Sequence, residues 1–281
     1  MFKLICPLSP NEYFDLHFDM FKLIQYEDTK KCNYDKNVID LLFRLNSYCM
    51  VLTQSCIELI WPGFVWQAEI LERSLLEATV KLIYITVDKL KISQKVEEFQ
   101  YTISNINHYK RQKELTELLD GVKNFNELDK HAFQTVVNND VDMKLNQQER
   151  KKILEKWPFN SMTKEIDSYN IEGLNKLSYF QNYYSNTSHY IHVDIDCLDL
   201  FWERGDREKT EKDTIELAHM GRELEDIFYF NIIRTERLMN LFNINISNLN
   251  NYLESRQDFI EEIKSLSKKW NDYYDENYFQ K

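Results

Sequence analysis

Residues 65–90, VWQAEILERSLLEATVKLIYITVDKL, decide the fold class of this chain. The stretch contains neither Pro nor Gly and is dense in Leu, Ile, Ala and Val, which predicts a long helix near the centre of the protein. The 281 residues include only 5 Gly and 4 Pro, which makes the many tight turns of a multi-stranded sheet hard to build. We therefore predict an all-α fold, a multi-helix bundle.

The bundle is expected to form a single domain over residues 1–281. Region 100–156 is polar and holds few of the large apolar side chains that a core requires, which predicts a peripheral helical insertion. Two long stretches within 207–281 have apolar residues at helical spacing and predict a C-terminal helical hairpin. A homodimer through these last helices is one hypothesis for the assembly.

The sequence also predicts where two of the helices begin. Pro10 can open a first helix, in which Phe14, Phe18 and Phe21, with Leu23-Ile24 as candidate additions, are predicted to form the apolar side. Ser161 follows a Trp-Pro break and is predicted to cap a short helix.

The composition narrows the possible partners and the location. A formal net charge of −11 opposes sequence-independent binding of nucleic acid except at a local basic patch. The 5 cysteines show neither C-x-x-C nor Cys/His metal spacing, which argues against a disulfide framework or a zinc site and favours a reducing cytoplasm. No apolar run approaches the ~20 residues that span a bilayer, so we expect no membrane contact. No cofactor is expected.

A charged stripe runs along the central helix. Glu69, Arg73, Glu77 and Lys81 follow one another at intervals of four and therefore share one side of the helix. One interpretation is a solvated face of ion pairs, each contributing about 0.3–0.5 kcal/mol. The other is that neighbouring elements cover the stripe, so that its charges are matched by polar groups from another helix.

A second stretch, residues 173–192 or GLNKLSYFQNYYSNTSHYIH, concentrates polar side chains at helical spacing. Its shared face would carry hydroxyl, amide and imidazole groups from Ser178, Asn182, Ser185, His189 and His192. An imidazole titrates near neutrality and can act as a general base. The alternative is a helix that frays into a loop, with hydroxyls bonding the local backbone. The i, i+3 histidine pair lacks a clear third ligand, so we predict no metal site.

Three ordered motifs resemble a bacterial all-helical domain family of unassigned function. They are Arg73-Ser-Leu-Leu-Glu77, Trp157-Pro-Phe-Asn-Ser161 and Tyr184-Ser-Asn-Thr-Ser188-His189, and the resemblance spans residues 40–195. It implies that Arg73, Glu77, Ser188 and His189 meet in one buried polar cluster.

That family is in turn similar to the HEPN helical domains, many of which are ribonucleases of toxin or phage-defence systems. Those nucleases carry an arginine four to six residues before a histidine on one helix. This chain departs from the pattern, since Tyr183 and Tyr184 stand at the corresponding distance before His189. The resemblance implies that Arg73 supplies the missing cation from the central helix.

Two functional hypotheses follow from the resemblance. In the first, the protein is a metal-independent ribonuclease or related phosphoryl-transfer enzyme, with RNA or a nucleotide as its ligand. His189 is then the general base, Arg73 stabilises the phosphate charge and Glu77 orients Arg73. The candidate substrate-binding residues are Tyr184, Ser185, Ser188 and His192.

In the second hypothesis the same cluster is a structural polar network or a small-ligand pocket. The protein would then be a helical interaction or sensing module with a partner protein from the same operon.

Overall fold

The computed structural model describes residues 9–121, 126–138, 145–174, 177–185 and 195–279. Every regular element within these ranges is helical, which confirms the all-α prediction. None of the helices in the described ranges combines the length and apolar character that a bilayer crossing requires.

The helices are numbered here in chain order. They are α1 (Pro10–Lys22), α2 (Lys36–Ile60), α3 (Val65–Thr86), α4 (Ile92–Glu97), α5 (Ser104–Gly121), α6 (Glu127–Val137), α7 (Gln147–Leu154), α8 (Phe159–Ser168), α9 (residues 180–185), α10 (Ile195–Asp206), α11 (Lys209–Phe242), α12 (Ser247–Ser255) and α13 (Gln257–Tyr274). Short 3₁₀ turns lie at Tyr26–Lys31 and Leu177–Tyr179, and π turns at Glu98–Ile103 and Asp275–Phe279.

Helix α3 is the centre of the bundle, as its sequence predicts. It packs against α2, α11 and α8, so that most of its circumference is buried. The fully buried side chains along it include Leu75, Leu76, Val80 and Leu82. Because three neighbours cover α3, its polar residues must find their partners inside the protein.

Helix α11 is 34 residues long and makes the closest helix contact, with α13. At Gly221 the two backbones are so near that an added Cβ would lie 2.6 Å from the amide nitrogen of Ser267. Real Cβ atoms do not approach a backbone atom this closely, so only glycine fits at this position.

Helix α1 begins with a capping box between Ser9 and Glu12. The side that it buries differs from the prediction, because Tyr13, Leu16 and Met20 face the core. The Tyr13 hydroxyl donates to the Leu224 carbonyl of α11, which fixes this orientation. Phe14, Phe18 and Phe21 instead stack on one another beside that face, with Phe14 against the edge of the core and Phe18 exposed.

Helices α5 to α7 cover the range predicted to be peripheral. In α5 the only buried residue is Ile106, and α7 has none. After them, α8 begins at Phe159 with Pro158 as its N-cap, so the prediction that Ser161 caps this helix is wrong. Since proline fixes a backbone φ close to the helical value, it can begin the helix without a side-chain cap.

A buried lysine attaches α8 to α3. The Nζ of Lys95 donates to the Tyr84 carbonyl and to Glu165 of α8, both at 2.8 Å, and lies 3.6 Å from the centre of the Tyr84 ring. The Tyr84 hydroxyl also donates to Glu165, at 3.2 Å. These contacts fix the position of α8 beside α3, where it supports the site described below.

The centre of the bundle also holds a fully buried cation, Arg234 of α11. Its guanidinium donates to the Thr79 hydroxyl at 2.7 Å and to the Asn231 side-chain oxygen at 3.3 Å. Asn231 in turn lies 3.0 Å from Nδ1 of His17, which is buried as well. The hydrogen-bond partners of this arginine are therefore neutral groups.

Candidate functional site

Arg73 of α3 and Tyr184 of α9 lie in direct contact, although 111 residues separate them in the chain. The Nε of Arg73 donates to the Tyr184 carbonyl at 3.3 Å, and the guanidinium carbon lies 4.0 Å from the centre of the tyrosine ring. A cation above an aromatic face is attracted by the electron density of the ring. The structure thus brings the R-x-x-x-E motif to the start of the Tyr-Ser…Ser-His stretch.

Glu77 joins the same contact one turn further along α3. Its carboxylate accepts from the Tyr184 hydroxyl at 3.0 Å and from Lys81 at 2.6 Å. Burial alone would raise the pKa of Glu77, but the hydrogen bonds from Lys81 and Tyr184 and the charge of Arg73 outweigh it and hold the pKa low. Glu77 is therefore a carboxylate at neutral pH.

Tyr184 is held from both sides. Its ring stacks on Phe159 of α8 with centroids 4.1 Å apart, opposite the face that contacts Arg73. Burial and the neighbouring charge of Glu77 raise the pKa of Tyr184 to about 12, so its hydroxyl stays protonated at neutral pH. It can donate a hydrogen bond but cannot serve as a base.

The remaining predicted site residues are placed as follows. Ser185 is exposed at the end of the helical residues 180–185. Ser188, His189 and His192 lie outside the described residues, so their catalytic and substrate-binding roles stay predictions.

The charged stripe of α3 is covered, in contrast to the interpretation of a solvated face. Glu69 is 3% exposed, while Arg73, Glu77 and Lys81 are half-buried. The partners of Glu69 come from α11, which crosses this end of α3. The interpretation in which another helix supplies matching polar groups is therefore the correct one.

A second polar cluster surrounds Glu69. Its Oε1 accepts from Arg222 at 2.6 Å and lies 3.0 Å from Nδ1 of His219, 150 residues away in the chain. Arg222 also lies 2.8 Å from that imidazole nitrogen. Burial would raise the pKa of Glu69, but the hydrogen bond with His219 and the nearby arginines hold it below its ordinary value. The indole of Trp66 covers His219 with ring centroids 4.4 Å apart.

Two further carboxyl groups lie in this cluster, and both are 0% exposed. The Oε2 of Glu72 accepts from the Tyr183 hydroxyl at 2.8 Å, whereas its Oε1 has no partner among the described residues. Glu223 of α11 has no hydrogen-bond partner for either oxygen among the residues that the structure describes. Burial and the charges of neighbouring carboxylates, Asp226 among them, raise the pKa values of Glu72 and Glu223 well above the ordinary range.

The cluster has the donor atoms of a metal site. Glu69, His219 and Glu223 each offer one ligand atom, and these three atoms lie within 4.8 Å of one another. Imidazole and carboxylate groups are the usual ligands of divalent transition metals in proteins.

Sequence reasoning identified Glu69 only as part of the stripe and missed the other members of the cluster. The available signal was a set of charged residues at spacings of three and four inside apolar helices, namely Glu69 and Glu72 on α3 and His219, Glu223 and Asp226 on α11.

Comparison with known proteins adds one finding. A family model described as a family of unknown function (DUF5677) matches residues 40–210. No curated protein and no solved structure matches the chain. The matched range contains Arg73, Glu77 and Tyr184, whereas His219 and Glu223 lie beyond it.

Proposed function

The chain belongs to the family of unknown function DUF5677, and we propose that it is a HEPN-like ribonuclease of a toxin or phage-defence system. The observation that supports this proposal is the contact between Arg73 and Tyr184. The resemblance implied that the R-x-x-x-E motif and the Tyr-Ser…Ser-His stretch form one site. Arg73, the first residue of the motif, contacts Tyr184, the first residue of the stretch.

The proposed reaction is attack of a ribose 2′-hydroxyl on the neighbouring phosphodiester. His189 accepts the 2′-hydroxyl proton as the new O–P bond forms, and the P–O5′ bond then breaks as the leaving oxygen takes up a proton. Arg73 stabilises the negative charge that builds up on the phosphate oxygens. Glu77 and Tyr184 keep the guanidinium on this face of α3, and Ser185, Ser188 and His192 contact the substrate.

The test is cleavage of labelled single-stranded RNA by the full chain in the presence of EDTA. We expect His189→Ala and Arg73→Ala each to slow cleavage by about 10²–10⁴-fold, the usual contribution of a general base or of a charge-stabilising donor. His131→Ala is the matched control, because His131 is an exposed histidine on α6. Its cleavage rate should equal that of the wild type.

The melting temperature of each variant in EDTA separates a loss of chemistry from a loss of folding. If the wild type leaves RNA intact, or if His189→Ala cleaves as fast as the control while folded, the ribonuclease proposal is wrong.

A specific observation favours a second function, a non-enzymatic interaction or sensing module. Tyr184 stacks between Phe159 and Arg73 while its hydroxyl donates to Glu77, so the network joins α9 to α3 and α8. In this case Tyr184→Phe should lower the melting temperature by several degrees, since loss of a buried hydrogen bond costs about 1–3 kcal/mol. An unchanged melting temperature would argue against a purely structural network.

A further inference from the structure

The contact between α3 and α11 buries more carboxyl oxygens than its described residues provide with hydrogen-bond partners. Glu69, Glu72 and Glu223 are at most 3% exposed, and the guanidinium of Arg222 donates to Glu69. Both oxygens of Glu223 lack a hydrogen-bond partner within the described ranges. A buried carboxyl group without a partner is costly, and a cation that takes its oxygen as a ligand would supply that partner.

We propose that Glu69, His219 and Glu223 bind one divalent transition-metal ion between α3 and α11. This site goes beyond the proposed ribonuclease function and does not depend on it, because it shares no residue with the Arg73 site. The oxygens of Glu223, which have no partner among the described residues, point to it independently of the acidic cluster itself, because one of them lies within 4.8 Å of the Glu69 and His219 ligand atoms.

The distances suit one ion after small side-chain movements. Ligand atoms about 2.1 Å from a common metal ion lie at most about 4.2 Å apart. Separations of up to 4.8 Å exceed this limit only slightly, so small rotations of the side chains bring the three atoms within reach of one ion. The Oε1 of Glu72, which has no partner within the described ranges, is a candidate for a further ligand, while Tyr183 orients that carboxyl group by donating to Oε2.

Arg222 occupies part of the space that the ion would use. It contacts both Glu69 and Nδ1 of His219, so its charge partly replaces that of a metal. The Arg222 side chain is 39% exposed and can turn toward solvent, where its charge is hydrated. Metal binding then replaces the single positive charge of Arg222, at the edge of the cluster, with the double positive charge of the ion at its centre.

The donor set determines the class of ion. One imidazole with two or three carboxylates suits Zn²⁺, Mn²⁺ or Fe²⁺ better than Mg²⁺ or Ca²⁺, which prefer oxygen ligands alone. An open cleft of about 360 Å³ adjoins the cluster, because Trp66, which contacts the His219 imidazole, also lines that cleft with Ile70, Phe201 and Arg204.

The test measures Zn²⁺ and Mn²⁺ binding to the untagged full chain after treatment with a chelator and dialysis. Calorimetry and elemental analysis should give one ion per chain, and saturation should raise the melting temperature by several degrees. Glu223→Gln should weaken binding at least about 100-fold, because it removes a charged ligand while keeping the side-chain volume. Glu236→Gln is the matched control, an exposed glutamate on the same helix, and should bind as the wild type does.

A second ligand variant covers the case in which Glu223→Gln fails to fold. His219→Gln removes the imidazole from a side chain that is 24% exposed, and it should weaken binding to a similar degree. The proposal is overturned if the wild type binds neither ion, if binding leaves the melting temperature unchanged, or if a folded ligand variant binds as tightly as Glu236→Gln. None of these measurements uses RNA cleavage, so failure of the metal site and failure of the ribonuclease proposal are separate results.

Discussion

The hydroxyl of Tyr183 donates a hydrogen bond to Glu72 across 2.8 Å, joining α9 to the middle of α3. Burial and the charges of Glu72 and Glu69 raise the pKa of Tyr183 well above its ordinary value, so the hydroxyl remains a donor at neutral pH. This contact, together with a hydrogen bond from the same hydroxyl to the Glu69 carbonyl at 3.3 Å, links the stretch that carries the predicted histidines to the acidic cluster.

Replacement of that donor is the first prediction. Tyr183→Phe should lower the free energy of unfolding by about 1–3 kcal/mol, because it leaves the buried carboxyl group of Glu72 without its hydrogen bond. Chemical denaturation measures the change. Tyr179→Phe is the control, since Tyr179 is 79% exposed and its substitution should change stability by less than about 0.5 kcal/mol. Equal effects of the two changes would contradict the assigned role of Tyr183.

The second prediction concerns the closest approach of two helices. Gly221→Ala places a methyl group 2.6 Å from the Ser267 amide nitrogen and 2.8 Å from its Cα, so α11 and α13 must move apart. We expect a loss of about 1–3 kcal/mol in unfolding free energy, typical of an overpacked interior.

Gly205→Ala in α10 provides the opposite case, because nothing lies within 4 Å of an added Cβ there. Alanine is the better helix former by about 1 kcal/mol, so this variant should be as stable as the wild type or more stable. A Gly221→Ala protein that gains stability to the same extent would show that the two helices are not packed as described.

The third prediction is a pH dependence set by His17. Burial, and to a lesser extent the positive charge of Arg234, lower the pKa of His17 from 6.5 to about 3. The folded protein therefore keeps this imidazole neutral, whereas the unfolded chain binds a proton below about pH 6.5. The stability that it contributes is present above pH 6.5 and is lost progressively as the pH falls toward 3, by up to about 1.4 kcal/mol per pH unit.

Denaturation of wild type and His17→Gln between pH 7 and pH 4 isolates this contribution from that of other groups. The variant should lose less stability than the wild type on acidification, by about 2 kcal/mol at pH 5. His131→Gln, which changes an exposed histidine, should retain the slope of the wild type. Parallel curves for wild type and His17→Gln would mean that His17 is not buried as a neutral group.

The fourth prediction tests the lysine that attaches α8 to α3. Lys95→Met keeps an unbranched side chain of similar length but removes the hydrogen bonds to the Tyr84 carbonyl and to Glu165. We expect a loss of about 1–3 kcal/mol, measured by denaturation, since the Tyr84 carbonyl loses its charged donor. Lys91→Met should cost less than about 1 kcal/mol, because its ion pair with Asp88 lies at the surface. If the Lys91 variant is the less stable one, the structural importance of Lys95 is contradicted.

The fold class followed from the sequence because its signal is local. Absence of Pro and Gly over residues 65–90, together with dense aliphatic side chains, predicts a helix whatever surrounds it. The inward side of α1 was not predictable in the same way. Phe14 and Tyr13 are adjacent in sequence. Tyr13 is the one that faces the core, because its hydroxyl donates to the Leu224 carbonyl of α11.

The candidate site likewise has one part that the local sequence predicts and another that depends on tertiary contacts. The contact between Arg73 and Tyr184 agrees with the ordered motifs, although spacing alone left it open whether the charged stripe of α3 was solvated or covered. The acidic cluster depends on the contact between Glu69 and His219, which are 150 residues apart. The sequence around each residue does not predict that the two helices cross. Burial of a charge is a tertiary property, so a helical sequence shows that a glutamate is present but not what covers it.

Helix α11 carries Glu223, whose carboxyl group has no partner in the part of the chain that the structure describes, and, eleven residues later, the buried guanidinium of Arg234. At 1.5 Å per residue these groups lie roughly 16 Å apart along one rigid axis, too far to neutralise each other by direct contact. The two parts of this interior therefore differ in chemistry, with carboxyl oxygens near Glu223 and a fixed positive charge at Arg234. A cation that enters this core finds ligands toward the Glu223 part and is repelled from Arg234.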